Sequence, residues 1–176
     1  LGGRLSVFHA FIPSSNVWEE VSVSSYPFGA VIMQKLPIPP TANRQLMPVK
    51  RGRYARLIKT NDARSFDSQI ETWMLKASDD IHTMRTVCKS WVKAGFTLRV
   101  DLTFHFAENK LYTKGTKKKP KDVKRMDVNN RIKSVIDAVS KILEIDDKYF
   151  FAHFIEKVTA EDGQNYCTAI ATPLTK

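Results

Sequence analysis

From Thr97 to Phe106 the chain alternates strictly, with Leu98, Val100, Leu102, Phe104 and Phe106 set against Arg99, Asp101, Thr103 and His105. A period of two puts the first set on one face of a strand and the second on the other. Residues 30–38, AVIMQKLPI, read as a second strand, ended by prolines. From Ser65 the period changes. Phe66, Ile70, Trp73, Met74 and Ala77 recur at helical steps, and Ile81, Met84, Val87, Cys88 and Trp91 continue in a second run. Asp79-Asp80 separates or caps the two runs, and Gly95 stops the second. Ile132, Val135, Ile136, Val139, Ile142 and Leu143 form the stripe of a further helix. Aromatic and β-branched residues after Asp147 give another strand, TAEDGQN a turn, and YCTAIAT a closing strand. The order is strand, helices, strand, helix, strand, strand. It predicts one α/β (α+β) domain over residues 31–176, a small mixed sheet packed with helices. Residues 1–30 stand before it as an extension without assignable chemistry, and the lone His9 there reads as a packing or surface residue.

Charge adds a partner class. The chain of 176 residues holds 28 Lys and Arg against 18 acids, a net charge of +10. Such an excess attracts polyanions, nucleic acid first among them. The cations gather in two segments. One holds Arg44, Lys50, Arg51, Arg53, Arg56 and Lys59 with Tyr54 interleaved, and reads as a basic loop after a Pro-stiffened turn. The other holds Lys114, Lys117, Lys118, Lys119, Lys121, Lys124 and Arg125. Either segment is a solvated surface or a phosphate contact. No apolar run reaches the roughly 20 residues of a membrane span, and no secretory signal is visible. Cys88 and Cys167 share no metal-type spacing and read as buried thiols in a reducing compartment. Trp and Met residues read as core, His82 as outer-face, and Asp101 and His105 as lining a polar sheet face.

The second basic segment runs straight into Asp127-Val128-Asn129-Asn130 at the mouth of a helix. In an extended segment Asp127 and Asn129 face the same way. Asp146-Asp147 follows where the next strand begins, and a compact fold is expected to bring the two groups together. Oxygen ligands gathered so suit Mg²⁺, a hard cation. Lys133 would set a positive charge beside a phosphoryl group, and Asn130, Lys133 and Asp137 share one ridge of the helix. A capped helix and an acidic turn account for the same residues.

Taken with PPTANR after the first strand, MDVNNRIKSVIDAV and IDDKYF resemble the RusA family of Holliday junction resolvases over about residues 31–172. That family carries Asp-x-Asp-Asn, a Lys three residues on, Asp-Ala four further, then an Asp-Asp pair. The counterparts here are Asp127, Asn129, Asn130, Lys133, Asp137-Ala138 and Asp146-Asp147. The resemblance implies a RusA-like fold and a homodimeric, Mg²⁺-dependent endonuclease that nicks four-way DNA junctions symmetrically. It also implies a cytoplasmic setting in a bacterium or phage-infected cell. Asp127 and Asp147 would be metal ligands with Asp146 beside them, Lys133 would assist at the scissile phosphate, and Asp137 would orient Lys133. Asn129 departs from the pattern, since the family has its second Asp there. An amide oxygen still ligates Mg²⁺ but is neutral. An engineered trap, a natural loss of catalysis with binding kept, and sufficiency of the remaining acids all fit. A junction-binding protein without activity and a basic RNA-binding α/β domain are the rival readings.

Overall fold

The structure is a computed structural model and describes residues 29–51, 53–115, 122 and 128–174. Its centre is a four-stranded sheet of β1 (Val31–Leu36), β4 (Thr97–Phe106), β5 (Phe150–Thr159) and β6 (Tyr166–Leu174). The order is β1-β6-β4-β5. Only β4 and β5 run parallel. A parallel neighbour requires a crossover, and here α4 (Asn129–Leu143) supplies its main element. The other helices are α1 (Asn61–Lys76), α2 (Ser78–Lys93) and the single turn α3 (Glu108–Leu111). This is the mixed α+β single domain that the periodicities predict.

The alternation of β4 decides where the core lies. Leu98, Val100, Leu102 and Phe104 are fully buried and pack with Val135, Val139, Ile142 and Leu143 of α4. On β6 the core positions are Cys167, Ala169 and Ala171, small residues that let the helices approach the sheet. On the other face Asp101 accepts from Arg99 Nε at 2.7 Å and from the Phe154 backbone N–H at 3.2 Å, while His105 stacks on Tyr166. Both line the sheet face, as the alternation of β4 predicts. Cys88 and Cys167 are free and buried, and burial pushes both thiols up to about 12. His82 is exposed. Among the described residues no helix is long and apolar enough to cross a membrane.

The helices begin and end for local reasons. α1 starts four residues before the Ser65 expected, because the Thr60 hydroxyl accepts from Ala63 N–H at 3.2 Å and caps it. Asp79 and Asp80 sit in the first turn of α2, where acids oppose the helix dipole favourably. Gly95 follows with φ +89°, the left-handed turn that glycine accepts most readily. α4 ends differently, with Glu144 in the left-handed region at φ 53°. Arg85 of α2 holds that end. Its Nε donates to the Ile142 carbonyl at 2.8 Å, and its Nη1 meets the Glu144 carboxylate at 2.7 Å. Lys89 adds a contact at 2.6 Å that holds the Glu144 carboxyl below its ordinary range.

One element differs from the expected plan. Residues 44–59 are not a loop but are built around a hairpin of β2 (Leu46–Arg51) and β3 (Tyr54–Lys59), apart from the main sheet. Pro48 sits opposite Leu57 in it. A two-stranded ribbon leaves each strand an outer edge, so a proline without an N–H is tolerated there. That proline and the dense cations obscure the alternation in the sequence. Residues 1–28, and with them His9 and nearly all of the extension, lie outside the described residues.

Arg85→Ala removes a charged donor from a helix-end carbonyl and is expected to cost about 1.5–3 kcal/mol in urea unfolding. Lys89→Ala should leave the midpoint almost unmoved, because both partners of its ion pair are half exposed.

Candidate metal and nucleic-acid site

The first turn of α4 carries most of the sequence motif. Its N-cap is Val128, with helical φ and ψ and no side-chain cap bond. Asn129 is therefore the first helical residue and not the cap. Asn129 and Asn130 are exposed. One turn on, Lys133 is 84% exposed at its side chain, with Nζ 3.5 Å from Asp137 Oδ1. The pair lies on the solvent ridge of α4, as the spacing predicts.

Arg131 was not anticipated. Its position on the same first turn aims it inward, where Nη1 donates to the Pro39 carbonyl. Its Nε is buried and has no hydrogen-bond partner among the described residues. Burial and the nearby Arg44 guanidinium both lower its proton affinity. Arg44 and Arg131 line a cleft of about 520 Å³ together with Pro39, Pro40, Thr41, Gln69 and one acid, Asp62. Neither guanidinium meets a carboxylate among the described residues. The one sequence signal was the Pro39-Pro40-Thr41 turn, whose free carbonyl must find a donor.

A second cleft of about 480 Å³ separates α1 from α4, lined by Gln45, Lys59, Asp67, Glu71, Asp137 and Lys141 among others. Ion pairs Lys59–Asp67 at 2.6 Å and Lys141–Glu71 at 3.1 Å lie along it. The β2–β3 hairpin is thus rooted beside the exposed ridge of α4. Its Lys50, Arg53 and Arg56 are exposed, and Arg51 pairs with Tyr54 next to the turn. Tyr54 is 82% exposed and Leu57 63%. No acid occurs between Arg44 and Thr60.

Asp146 and Asp147 lie beyond the other end of α4. Asp146 precedes a 3-10 turn, Asp147–Tyr149, and caps it by accepting from Lys148 N–H at 3.0 Å. Its other oxygen meets Lys148 Nζ at 3.2 Å. That backbone bond, then the Lys148 ammonium, holds the Asp146 carboxyl below its ordinary 3.8. Asp147 is exposed. The capped-turn reading of Asp146 is therefore realised.

The expected convergence of Asn129 with Asp146-Asp147 does not occur within one chain. Unbroken helix from Asn129 to Leu143 spans about 21 Å at 1.5 Å per residue. Arg131 on Pro39 fixes one end near the close of β1. Phe150 opposite Leu98 fixes the acids at the start of β4. Among the described residues no three His, Cys, Asp or Glu side chains gather as a metal site. Asp127, Lys117, Lys118, Lys119, Lys121, Lys124 and Arg125 lie outside the described residues.

The profile of the endodeoxyribonuclease RusA family matches residues 37–166. The chain belongs to the RusA family. Membership implies nuclease activity of the Holliday junction resolvase kind, DNA binding, and the divalent-metal dependence general in that family. No curated protein matches the chain. Among solved structures it is similar to 2C-methyl-D-erythritol 2,4-cyclodiphosphate synthase from Plasmodium vivax, at 15% identity and TM-score 0.29, over 84% of this chain and 95% of that one. IspF of Plasmodium falciparum in its CDP complex is 16% identical over 58% of this chain and 59% of its own, with TM-score 0.29. Likeness at that level carries no inference about fold or chemistry.

A depressed carboxyl contributes stability above its unfolded pKa and loses it as pH falls through the folded value. The Asp146 carboxyl carbon should titrate below 3.8 by NMR. Lys148→Ala should raise that midpoint yet leave it below 3.8, because the backbone donor remains.

Proposed function

We propose that the chain is a Mg²⁺-dependent, structure-selective endonuclease that resolves four-way DNA junctions by paired phosphodiester hydrolysis, as a homodimer. The observation that carries this reading is the ordered Asn129-Asn130, Lys133 and Asp137 ridge on one exposed helix inside a RusA-family domain, beside a cationic hairpin without acids. A two-fold substrate that needs two nicks suits a two-fold enzyme. The setting that follows is the cytoplasm of a bacterium or phage-infected cell, where such DNA is found.

The candidate donors are oxygen atoms of Asp127 and Asn129 and of Asp147 with Asp146 beside it; they fit Mg²⁺ in type, and one chain holds Asn129 apart from the Asp146-Asp147 pair. Bound there, the ion would polarise a phosphate oxygen and lower the pKa of a water. The residues of the chain do the rest. The Lys133 ammonium, steadied by Asp137, meets charge that develops on the phosphoryl oxygens. Arg44 and Arg131 hold a neighbouring phosphate in their cleft, where a bidentate guanidinium suits the geometry. Lys50, Arg51, Arg53 and Arg56 supply affinity along the backbone, and the cations of the 117–125 segment would add phosphate contacts by their charge.

Asn129 favours one second reading, a junction-binding protein with weak or no cleavage, because a neutral amide stands where the family has a carboxylate. A nicking assay on a synthetic four-way junction and a matched duplex, with Mg²⁺ or EDTA, separates the two. We expect junction-selective, Mg²⁺-dependent nicks that increase with Asn129→Asp. Tight junction binding with neither form cutting would establish the binding protein instead. Equal affinity for RNA or duplex and for the junction would sink both.

Phosphate contacts leave a second signature. Arg53→Ala and Arg56→Ala should weaken junction and duplex binding alike. Each should flatten the slope of log K against log salt by about 0.9 per lost phosphate contact.

A further inference from the structure

The β2–β3 hairpin does nothing for the core. Among the described residues none from 46 to 59 is buried, and none belongs to the hydrophobic core. Its base is held all the same. Thr60 N–H donates to the Gln45 carbonyl at 2.9 Å, and the Thr60 hydroxyl donates to the Arg44 carbonyl. Gln45 Nε2 donates to the Pro40 carbonyl at 3.1 Å, and Lys59 is tied to Asp67 of α1 at 2.6 Å. Six residues in each strand extend about 20 Å from that base. The result is an arm anchored at its root, with no buried side chain among its described residues.

The register divides the side chains of the arm between two faces. Tyr54 and Arg56 share one with Met47, whereas Leu57 shares the other with Leu46 and Lys50. Large apolar groups are therefore exposed on both faces, Met47 and Tyr54 on one, Leu46 and Leu57 on the other. A membrane surface or a flat protein patch covers only one face of a ribbon. The walls of a DNA groove cover both, and the major groove admits a two-stranded ribbon. Charge agrees with that occupant. Exposed Lys50, Arg53 and Arg56 are interleaved with the apolar groups, and no acid lies between Arg44 and Thr60.

Tyr54 has the place for a more selective contact. It stands in the last rung before the turn, opposite Arg51, and at 82% it is the most exposed large apolar side chain among the described residues. Its ring offers a free π-face to a base, a contact whose loss costs about five- to a hundredfold in affinity. Within a duplex every base pair is stacked on both sides, and parting a step is costly. At the centre of an opened four-way junction the innermost pair of each arm of the DNA has no neighbour on one side. We propose that the β2–β3 hairpin enters the branch point and that Tyr54 stacks on that unstacked pair, which makes it a determinant of selectivity for branched over linear DNA. The inference rests on the proposed junction activity.

Binding and photocrosslinking in EDTA test it without any cleavage. Tyr54→Thr keeps a strand-forming residue at an exposed position and removes the ring. It should weaken junction binding about five- to a hundredfold and leave duplex binding within about twofold. The slope of log K against log salt should not change, because stacking releases no counterion. Tyr54→Phe should keep the selectivity of the parent, since the ring and not the hydroxyl makes the stack. Irradiated with 5-iodouracil in the innermost pair of one DNA arm, the complex should crosslink at Tyr54. With 5-iodouracil at the far end of that arm it should not.

Equal loss on junction and duplex would make Tyr54 an ordinary contact of the hairpin, and unchanged junction binding would make it a bystander. Either result overturns the proposal and leaves the resolvase reading standing. A change of oligomeric state in Tyr54→Thr, measured by light scattering, would assign the hairpin to contact between copies and overturn it as well. Failure of the resolvase reading looks different. The parent chain itself then binds the junction no better than the duplex, and both readings fall.

Discussion

The buried stripe of α4 is the constraint on which the arrangement depends. Val135, Val139, Ile142 and Leu143 are essentially inaccessible and pack against the core face of β4. Helices in proteins owe most of their stability to such packing and little to propensity. The stripe fixes the rotation of α4, which sends Lys133 and Asp137 to solvent and Arg131 inward. Arg85 and Lys89 secure its far end against α2. Because nothing interrupts the helix, it acts as a spacer whose length is set by backbone geometry.

Two surfaces follow from that rotation. The exposed ridge of α4 looks onto the cleft shared with α1 and the base of the β2–β3 hairpin. The inward Arg131 looks onto the turn after β1, where Arg44 joins it. Asp62 lines the same cleft without an ion pair to either guanidinium among the described residues, and like charges placed together are costly in a folded protein, the more so when buried. A bound phosphate would lower that cost, in keeping with the phosphate contact proposed for this cleft. The hairpin shows the same economy in a different form, with exposed Tyr54 and Leu57 among exposed cations.

Much of this was legible in the sequence. The strict alternation of residues 97–106 and the three-four stripe of α4 each have one physical solution, and both appear as read. The hairpin was hidden because Pro48 and the arginines break its alternation, and because a two-sided exposed ribbon has no core face to mark it. The start of α1 was missed for want of weight on Thr60, a capping residue just outside the apolar run. The separation of Asn129 from Asp147 was in principle readable. The stripe alone implied a helix of some four turns, and a helix that long cannot return its ends to one point. Backbone length, not side-chain chemistry, decides how far apart the two groups lie.

The same geometry bears on Asn129. A helix N-terminus already favours an anion, and Arg131, Arg44 and Lys133 reinforce that preference at the start of α4. A carboxylate at position 129 would offset part of this field and draw a cation; the amide does not. With Asn129 present, the balance at this end shifts toward holding phosphate. Of the residues proposed as ligands, the carboxylates are then Asp127 and the Asp146-Asp147 turn beyond the far end of α4. Loss of one carboxylate should in that case weaken the ion without loosening the grip on DNA.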